Sequence, residues 1–359
     1  MNTVTANPDN SKRRVPLAGR EALAGRPAKL AGLAVLAAVA IAFPYVYSSP
    51  VDTNYGVYAL IFITAASAWN IFSGFSGYIS LGQAVFFGGG AYTVGIAARD
   101  WHVTGTGVFV LLPLAAVVAT LIAVPFGLIA LRVRRHTFIV ITIAVFFIFQ
   151  LMAYDFSFTG GTIGLPAPFL SWPTATYNNP FYFMALGAAA VTITLAWLIR
   201  RSRFGLQLRA IKDDEDRALG LGVRTMRVKL SAFMLSAFIT GFIGGVWFLY
   251  ITQVLPPSGF DPLFDLTIAL MAFLGGIGTL SGPVIGALLI EPGRLWLTTR
   301  FTNAYLAEIL LGALFLLIVL FVPRGIVPTG AEWIRKLRSR RSPAVEPFTE
   351  AKAPVGGVR

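Results

Sequence analysis

The chain has 359 residues, 56% hydrophobic and only 13% charged, with a net charge of +13. A water-soluble domain carries about a quarter charged residues, so this composition argues against a large soluble protein and for one that crosses a membrane many times. The absence of cysteine removes disulfides and thiolate metal sites. No HExxH, Walker A, GxSxG or GxGxxG pattern occurs.

Residues 1–27 are polar and basic, with Lys12, Arg13, Arg14, Arg20 and Arg26. They read as a cytoplasmic tail, and the following Leu30–Val46 run as a retained first span rather than a cleaved leader. Apolar runs then predict helices at about 29–48, 55–73, 80–98, 108–131, 137–153, 181–199 and 230–251. Two shorter runs follow at about 264–277 and 283–298, and another at about 303–322. The last part, 331–359, is again a polar basic tail.

Charge sets the orientation. With the N-terminus inside, Arg132, Arg134 and Arg135 fall inside, as do the nine bases of 200–229 and Arg324, Arg335, Lys336, Arg338, Arg340 and Arg341. The outer segments 49–54, 154–180 and 252–263 hold no Lys or Arg; Arg99 and Arg300 are mild exceptions. This clustering at tails and loops favours topology over nucleic-acid binding. The fold expected is all-α: a polytopic transmembrane helical protein of eight to ten spans, some short or broken, with both termini cytoplasmic. Residues 28–330 form its membrane domain.

Two glycine-rich stretches interrupt the pattern, GFSGYISLGQAVFFGGGAY at 74–92 and FLGGIGTLSGPVIGALL at 273–289. Both read as breaks in spans, and together as a weak internal repeat. Close helix packing through small residues, as at Gly88 to Ala91, is the other reading. Asn70 and Gln83 flank the first stretch. Glu291 and Arg294 stand three residues apart and can pair on one helix face, and Glu308 lies in the last apolar run. The outer segment 156–173 is rich in Gly, Pro and aromatics; it folds over an entrance or against a partner, and Trp172 and Tyr177 suit an interfacial belt.

The segment 200–229 carries nine bases and four acids. Helix formers dominate from Leu206 to Leu219, the acids from Asp213 to Asp216 suit the start of a second short helix, and Gly220 and Gly222 are natural stops. One or two short helices along the cytoplasmic surface are expected. Their mixed charge suits docking to a soluble protein, beside plain topology control.

The motifs NIFSGFSGYISLGQAVFFGGGAYTVGI (70–96), LRVRRHTFIVITIA (131–144), FTGGTIGLPAP (158–168), RSRFGLQLRAIKDDEDRALGLGVRTMRVKLSAFMLSAFITGFIGG (201–245) and AFLGGIGTLSGPVIGALL (272–289) resemble, in order and spacing, one family. It is that of the LivM-type permease subunits of high-affinity branched-chain amino-acid ABC transporters, and the resemblance covers about 30–330. It implies an ATP-driven importer subunit in the bacterial inner membrane, passing branched-chain or related amino acids delivered by a periplasmic binding protein. A urea or short-amide permease of the same layout is the alternative; an ion-coupled carrier is a further one.

The resemblance also implies partners: a homologous second permease like LivH, two ATP-binding subunits and the solute-binding protein, within membrane lipid and without nucleic acid. No cofactor belongs to this chain and no catalytic or metal site is expected; ATP and Mg would bind the partner ATPases, so the chain itself is not an enzyme. The loop 200–229 becomes the coupling loop, with Asp213, Glu215, Ala218, Leu219, Gly220 and Gly222 at the ATPase. Ser76, Ser80, Gln83 and Gly88 from the first break, with Thr279 and Ser281 from the second, become candidate linings of the translocation path.

Overall fold

The structure is a computed structural model, which describes residues 32, 35, 37–47, 49–173, 176–300, 309, 312–313, 316, 320 and 325–339. Most of the expected span at 303–322, with Glu308, and both outermost tails lie outside the described residues. The chain divides into two compact units, residues 1–48 and 49–359. Of the first, α1 (Ala37–Val46) is an apolar helix, with the Phe43 and Tyr47 rings 5.2 Å apart on successive turns.

The second unit begins with α2 (Pro50–Trp69), extended by a π-helical turn, Asn70–Gly74. After an irregular stretch come α3 (Gln83–Asp100) and a 3₁₀ turn leading into α4 (Leu112–Ala130). Next are α5 (Arg135–Asp155) and α6 (Asn178–Arg201). Two short helices, α7 (Arg203–Asp213) and α8 (Glu215–Gly220), precede the 27-residue α9 (Thr225–Ile251). The one-turn α10 (Pro256–Gly259) leads to α11 (Pro262–Gly275) and α12 (Gly282–Arg300), and α13 (Ile326–Ser339) closes the described chain. The expectation of a polar tail from 331 is thus met by a helix over its first residues.

Six of these helical stretches are long and apolar enough to cross a membrane, since about 20 apolar residues span a hydrocarbon core of ~30 Å. The protein is therefore an all-α polytopic membrane protein. Helices exceed the predicted runs at their ends, because polar and charged residues such as Arg135, Asp155, Arg200 and Arg201 continue a helix into the headgroup region. The break expected within 74–92 is shorter than the glycine-rich stretch: only 77–82 leave the helix.

Helix α9 is the axis of the fold, packed along α3, α4, α2 and α6. Small residues allow the close approach. A side chain at Gly90 of α3 would run into the carbonyl of Gly241 on α9. Phe233 of α9 gathers the rings of Phe72, Phe86 and Phe126 at 4.9, 5.2 and 5.3 Å, edge to face, the favoured aromatic geometry. Helices α2 and α9 are enclosed by neighbours, whereas α5 turns Val140, Phe147, Ile148 and Leu151 outward, as a lipid-facing helix does.

At the opposite end from the charged loop, residues 157–163 form two helical turns and Leu165–Pro166 pairs antiparallel with Gln253–Val254. Trp172 stacks on Phe109 with centroids 5.7 Å apart and meets Phe181. The outer segment therefore folds back onto its own chain. The Tyr250 hydroxyl donates to Asn54 Oδ1 at 2.6 Å, and Asn178 donates to the Pro50 carbonyl at 2.9 Å, which joins the outer ends of α2, α6 and α9.

Candidate functional site

The first break starts with the π-turn. Wider winding over Asn70–Gly74 displaces the carbonyl pattern, and such turns free backbone groups for other partners. Side chains take up the freed groups. Ser76 Oγ donates to the Phe72 carbonyl at 2.7 Å, the Trp69 indole N–H to the Ser80 carbonyl at 2.8 Å, and the Ser80 N–H to Ser73 Oγ at 3.2 Å. The chain then enters α3 at Gln83, whose amide donates to Ser236 Oγ at 2.6 Å. Asp265, from α11, caps this helix start: its Oδ1 accepts the Ala84 N–H at 3.0 Å. Ser73, Ser76, Ser80 and Gln83 are fully buried, so this is a polar seam inside an apolar body.

The second break, 276–281, lies against the first. Asn70 binds it twice: its amide donates to the Thr279 carbonyl at 2.8 Å and its Oδ1 accepts the Gly278 N–H at 2.8 Å. Thr279 Oγ1 donates to the Gly276 carbonyl at 2.7 Å and accepts the Gly282 N–H at 3.0 Å, which tightens the entry into α12. One buried asparagine thus joins the two glycine-rich segments that lie about 200 residues apart in sequence.

The charged loop meets both breaks. Ser202 caps α7 by accepting the Gly205 N–H at 3.2 Å, and Asp214 caps α8 by accepting the Arg217 N–H at 3.0 Å. At the end of α7, Arg135 donates to the carbonyls of Ile211 and Lys212 at 2.6 and 2.7 Å, satisfying groups that a helix C-terminus leaves open. Lys212 reaches on to the Gly74 carbonyl at 2.8 Å. Gly74, Phe75, Ile277 and Gly278 from the breaks, with Arg209, Lys212 and Asp213, line a cavity of about 240 Å³. Burial lowers the Lys212 ammonium pKa from its ordinary value.

Helix α8 has its own anchor. Glu215 pairs with Lys229 at 2.6 Å and accepts the Tyr78 hydroxyl. Lys229, almost wholly buried, also donates to Tyr78 Oη at 3.1 Å and to the Leu131 carbonyl at 3.2 Å. Its ammonium lies 4.3 Å from the centroid of the Tyr78 ring. Burial pushes the Glu215 carboxyl up, but the hydrogen bonds from Lys229 and Tyr78 outweigh it and hold the group below the usual carboxylate value.

The coupling candidates therefore divide. Glu215 and Ala218 face the chain itself, and Asp213 lines the cavity, while Leu219, Gly220 and Gly222 lie on the exposed side. Leu221, not singled out from sequence, is 81% exposed beside Leu219 at 59%, an apolar pair on the outside of a charged loop. Of the path candidates, Ser76, Ser80 and Gln83 come together in the first break, and Gly88 sits further along α3 against the Gly259 carbonyl and the Phe260 ring. Thr279 is half-buried at the second break, with Ser281 exposed. Glu291 and Arg294 pair at 2.6 Å, as their spacing allows.

The sequence marks Asn70 only as a flanking residue and gives no site role to Asp265, Tyr78, Arg135, Lys212 or Lys229. An acid inside the apolar run PLFDLTIALMAFLG was the available signal for Asp265; the others depend on tertiary contacts.

Comparison with known proteins agrees with this architecture. Residues 53–319 match the family model described as the permease component of branched-chain amino acid transport systems. The LivM permease protein of the high-affinity branched-chain amino acid transport system of Salmonella typhimurium is 26% identical over 325 residues, covering 82% of this chain and 74% of that protein. LivM of Escherichia coli K12 gives the same identity and coverage. A probable LivH permease of Methanocaldococcus jannaschii is 27% identical over 150 residues, 41% of this chain and 46% of its own length. No solved structure matches. With three quarters of its length under that family model, bundle and breaks included, the chain belongs to the permease components of the branched-chain amino acid transport family.

Proposed function

We propose that this chain is the LivM-type half of an ATP-driven importer in a bacterial inner membrane, carrying branched-chain or related amino acids handed over by a periplasmic binding protein. Its partners are a homologous LivH-like permease and two ATPase subunits that hold ATP and Mg. One observation supports the reading: the short helices α7 and α8 are bonded to the first membrane break, through Lys212 on Gly74 and Glu215 on Tyr78, and share a cavity with Ile277 and Gly278 of the second, while Leu219 and Leu221 stay exposed. A helix pair gripped on its inner side and apolar on its outer side is suited to receive force from a soluble motor and deliver it to the path. The nearby breaks then change access as the spans tilt.

The test is reconstitution with the partner subunits. Replacing Leu219 with Glu and Gly220 with Arg leaves the chain inserted but separates ATP hydrolysis from uptake; coupled uptake at the normal ratio would count against the docking role. Replacing Ser80 and Gln83 with leucine lowers uptake while the ATPase subunits still co-purify, and unchanged uptake kinetics would remove these two residues from the path. The ligand that co-purifies with the binding protein tells an amino acid from urea or a short amide.

A further inference from the structure

Within the first break, the buried polar atoms do not balance. Asp265 is only 2% exposed, and its Oδ1 is used by the Ala84 N–H. Its second oxygen, Oδ2, has no hydrogen-bond partner among the described residues. The same is true of Gln83 Oε1 and Ser80 Oγ, on two residues that are fully buried. Gln83 adjoins the residue that Asp265 caps, and Ser80 stands three positions before Gln83, so the Cα atoms of Ser80 and Gln83 lie within about 11 Å of each other. Buried polar groups are nearly always satisfied, and each exception asks for a partner.

The chemistry of these atoms selects that partner. A carboxylate oxygen and an amide oxygen only accept hydrogen bonds, and a serine hydroxyl accepts as well as donates. An anion would meet like charge there. A primary ammonium brings three N–H donors and a positive charge, which matches two acceptors, a hydroxyl and the carboxylate's need for a counter-charge. We propose that Asp265, with Gln83 and Ser80, forms an acceptor site in the first break that takes the ammonium group of the passing solute. The inference rests on the transport reading above and adds the residue that recognises one end of the cargo. Capping by Asp265 Oδ1 fixes the side chain, so that Oδ2 is held ready rather than recruited.

Trp69 supplies a reporter, because its indole N–H is bonded to the Ser80 carbonyl at 2.8 Å. The full chain in lipid nanodiscs is titrated with isoamylamine, with isocaproate of similar apolar shape, and with sodium chloride. The Trp69 signal is isolated by subtracting a Trp69→Phe variant. Isoamylammonium changes the signal saturably, whereas isocaproate and sodium do not. Asp265→Asn keeps an oxygen for the Ala84 cap but sets an amide donor where the bare oxygen stood, and weakens the response by about tenfold. Gln83→Met, which keeps the shape and loses the acceptor, weakens it by about threefold. No saturable response to the amine, an equal response to sodium or to isocaproate, or an unchanged response in Asp265→Asn overturns the site.

Uptake of labelled leucine by the reconstituted complex separates this inference from its premise. Absent uptake by the unaltered complex removes the transport reading and leaves the nanodisc result to decide the site. Normal uptake by the unaltered complex, matched within about twofold by Asp265→Asn, removes the site and leaves the transport reading in place.

Discussion

The two glycine-rich breaks look alike in sequence and differ in surroundings. The first is largely buried, with Ser73, Ser76, Ser80 and Gln83 at zero exposure, and side chains take up several of its backbone groups. The second is half-exposed, held mainly by its own Thr279 and by Asn70 reaching across from the first. A break enclosed by its neighbours can hold polar groups ready for cargo, because little water competes for them. A break at the margin has fewer contacts to lose on moving, which suits a hinge. Similar glycine content thus supports a seam in one place and a joint in the other, and the neighbours decide which.

The largest test of this contrast strikes the anchor of the first break. Lys229→Met leaves Glu215 and Tyr78 without their ammonium, and breaking a buried pair on one side costs about 3–5 kcal/mol. The purified chain should show a large fall in melting temperature, and pairing the change with Glu215→Gln should recover most of it. A small effect of Lys229→Met alone would mean that α8 is not anchored through this pair. Next comes Asn70→Leu, which removes the link between the breaks and leaves the Gly278 N–H and the Thr279 carbonyl unpaired, at about 1–3 kcal/mol for each buried group. Its effect on thermal stability should exceed that of Thr279→Val, about 1 kcal/mol, which touches the second break alone. Equal losses would erase the distinction between seam and joint.

The smallest effect is on pH. Because Glu215 has its carboxyl lowered in the folded chain, the unfolded chain binds more protons between the two values. The pair therefore contributes fully above the ordinary carboxylate value of 4.5 and loses its contribution as pH falls through the lower folded value. Hydrogen exchange at α8 should rise in that acid window, and Glu215→Gln should flatten the dependence. A Glu215→Gln variant with the same acid profile would place the titration elsewhere.

Much of the frame could be read from residues alone, since apolar run lengths and the position of bases answer directly to lipid thickness and orientation. That the charged loop holds two short helices also follows from local signals, though their caps at Ser202 and Asp214 do not, and so does the pairing of Glu291 with Arg294. What local signals could not carry was the partner of each charge. The resemblance assigns Glu215 to the coupling loop, but nothing local shows that it also pairs with Lys229, fourteen residues on and in another helix. Asp265 was passed over because a single acid in an apolar run says nothing about what lies opposite. The π-turn at Asn70–Gly74 likewise has no composition of its own; at its ends the Asn70 side chain holds the second break and Lys212 takes the Gly74 carbonyl.

The bond from Lys212 to the Gly74 carbonyl has a mechanical corollary. The same residue offers its own carbonyl to Arg135 at the foot of α5, so a single side chain and its backbone connect a lipid-facing pillar to the inner seam. If a motor docks on the charged loop as proposed, its thrust would cross to the inner seam through a few hydrogen bonds instead of bending a long rod. Little of the stroke would be lost to elastic give, and the two ends of the linkage would move nearly in step.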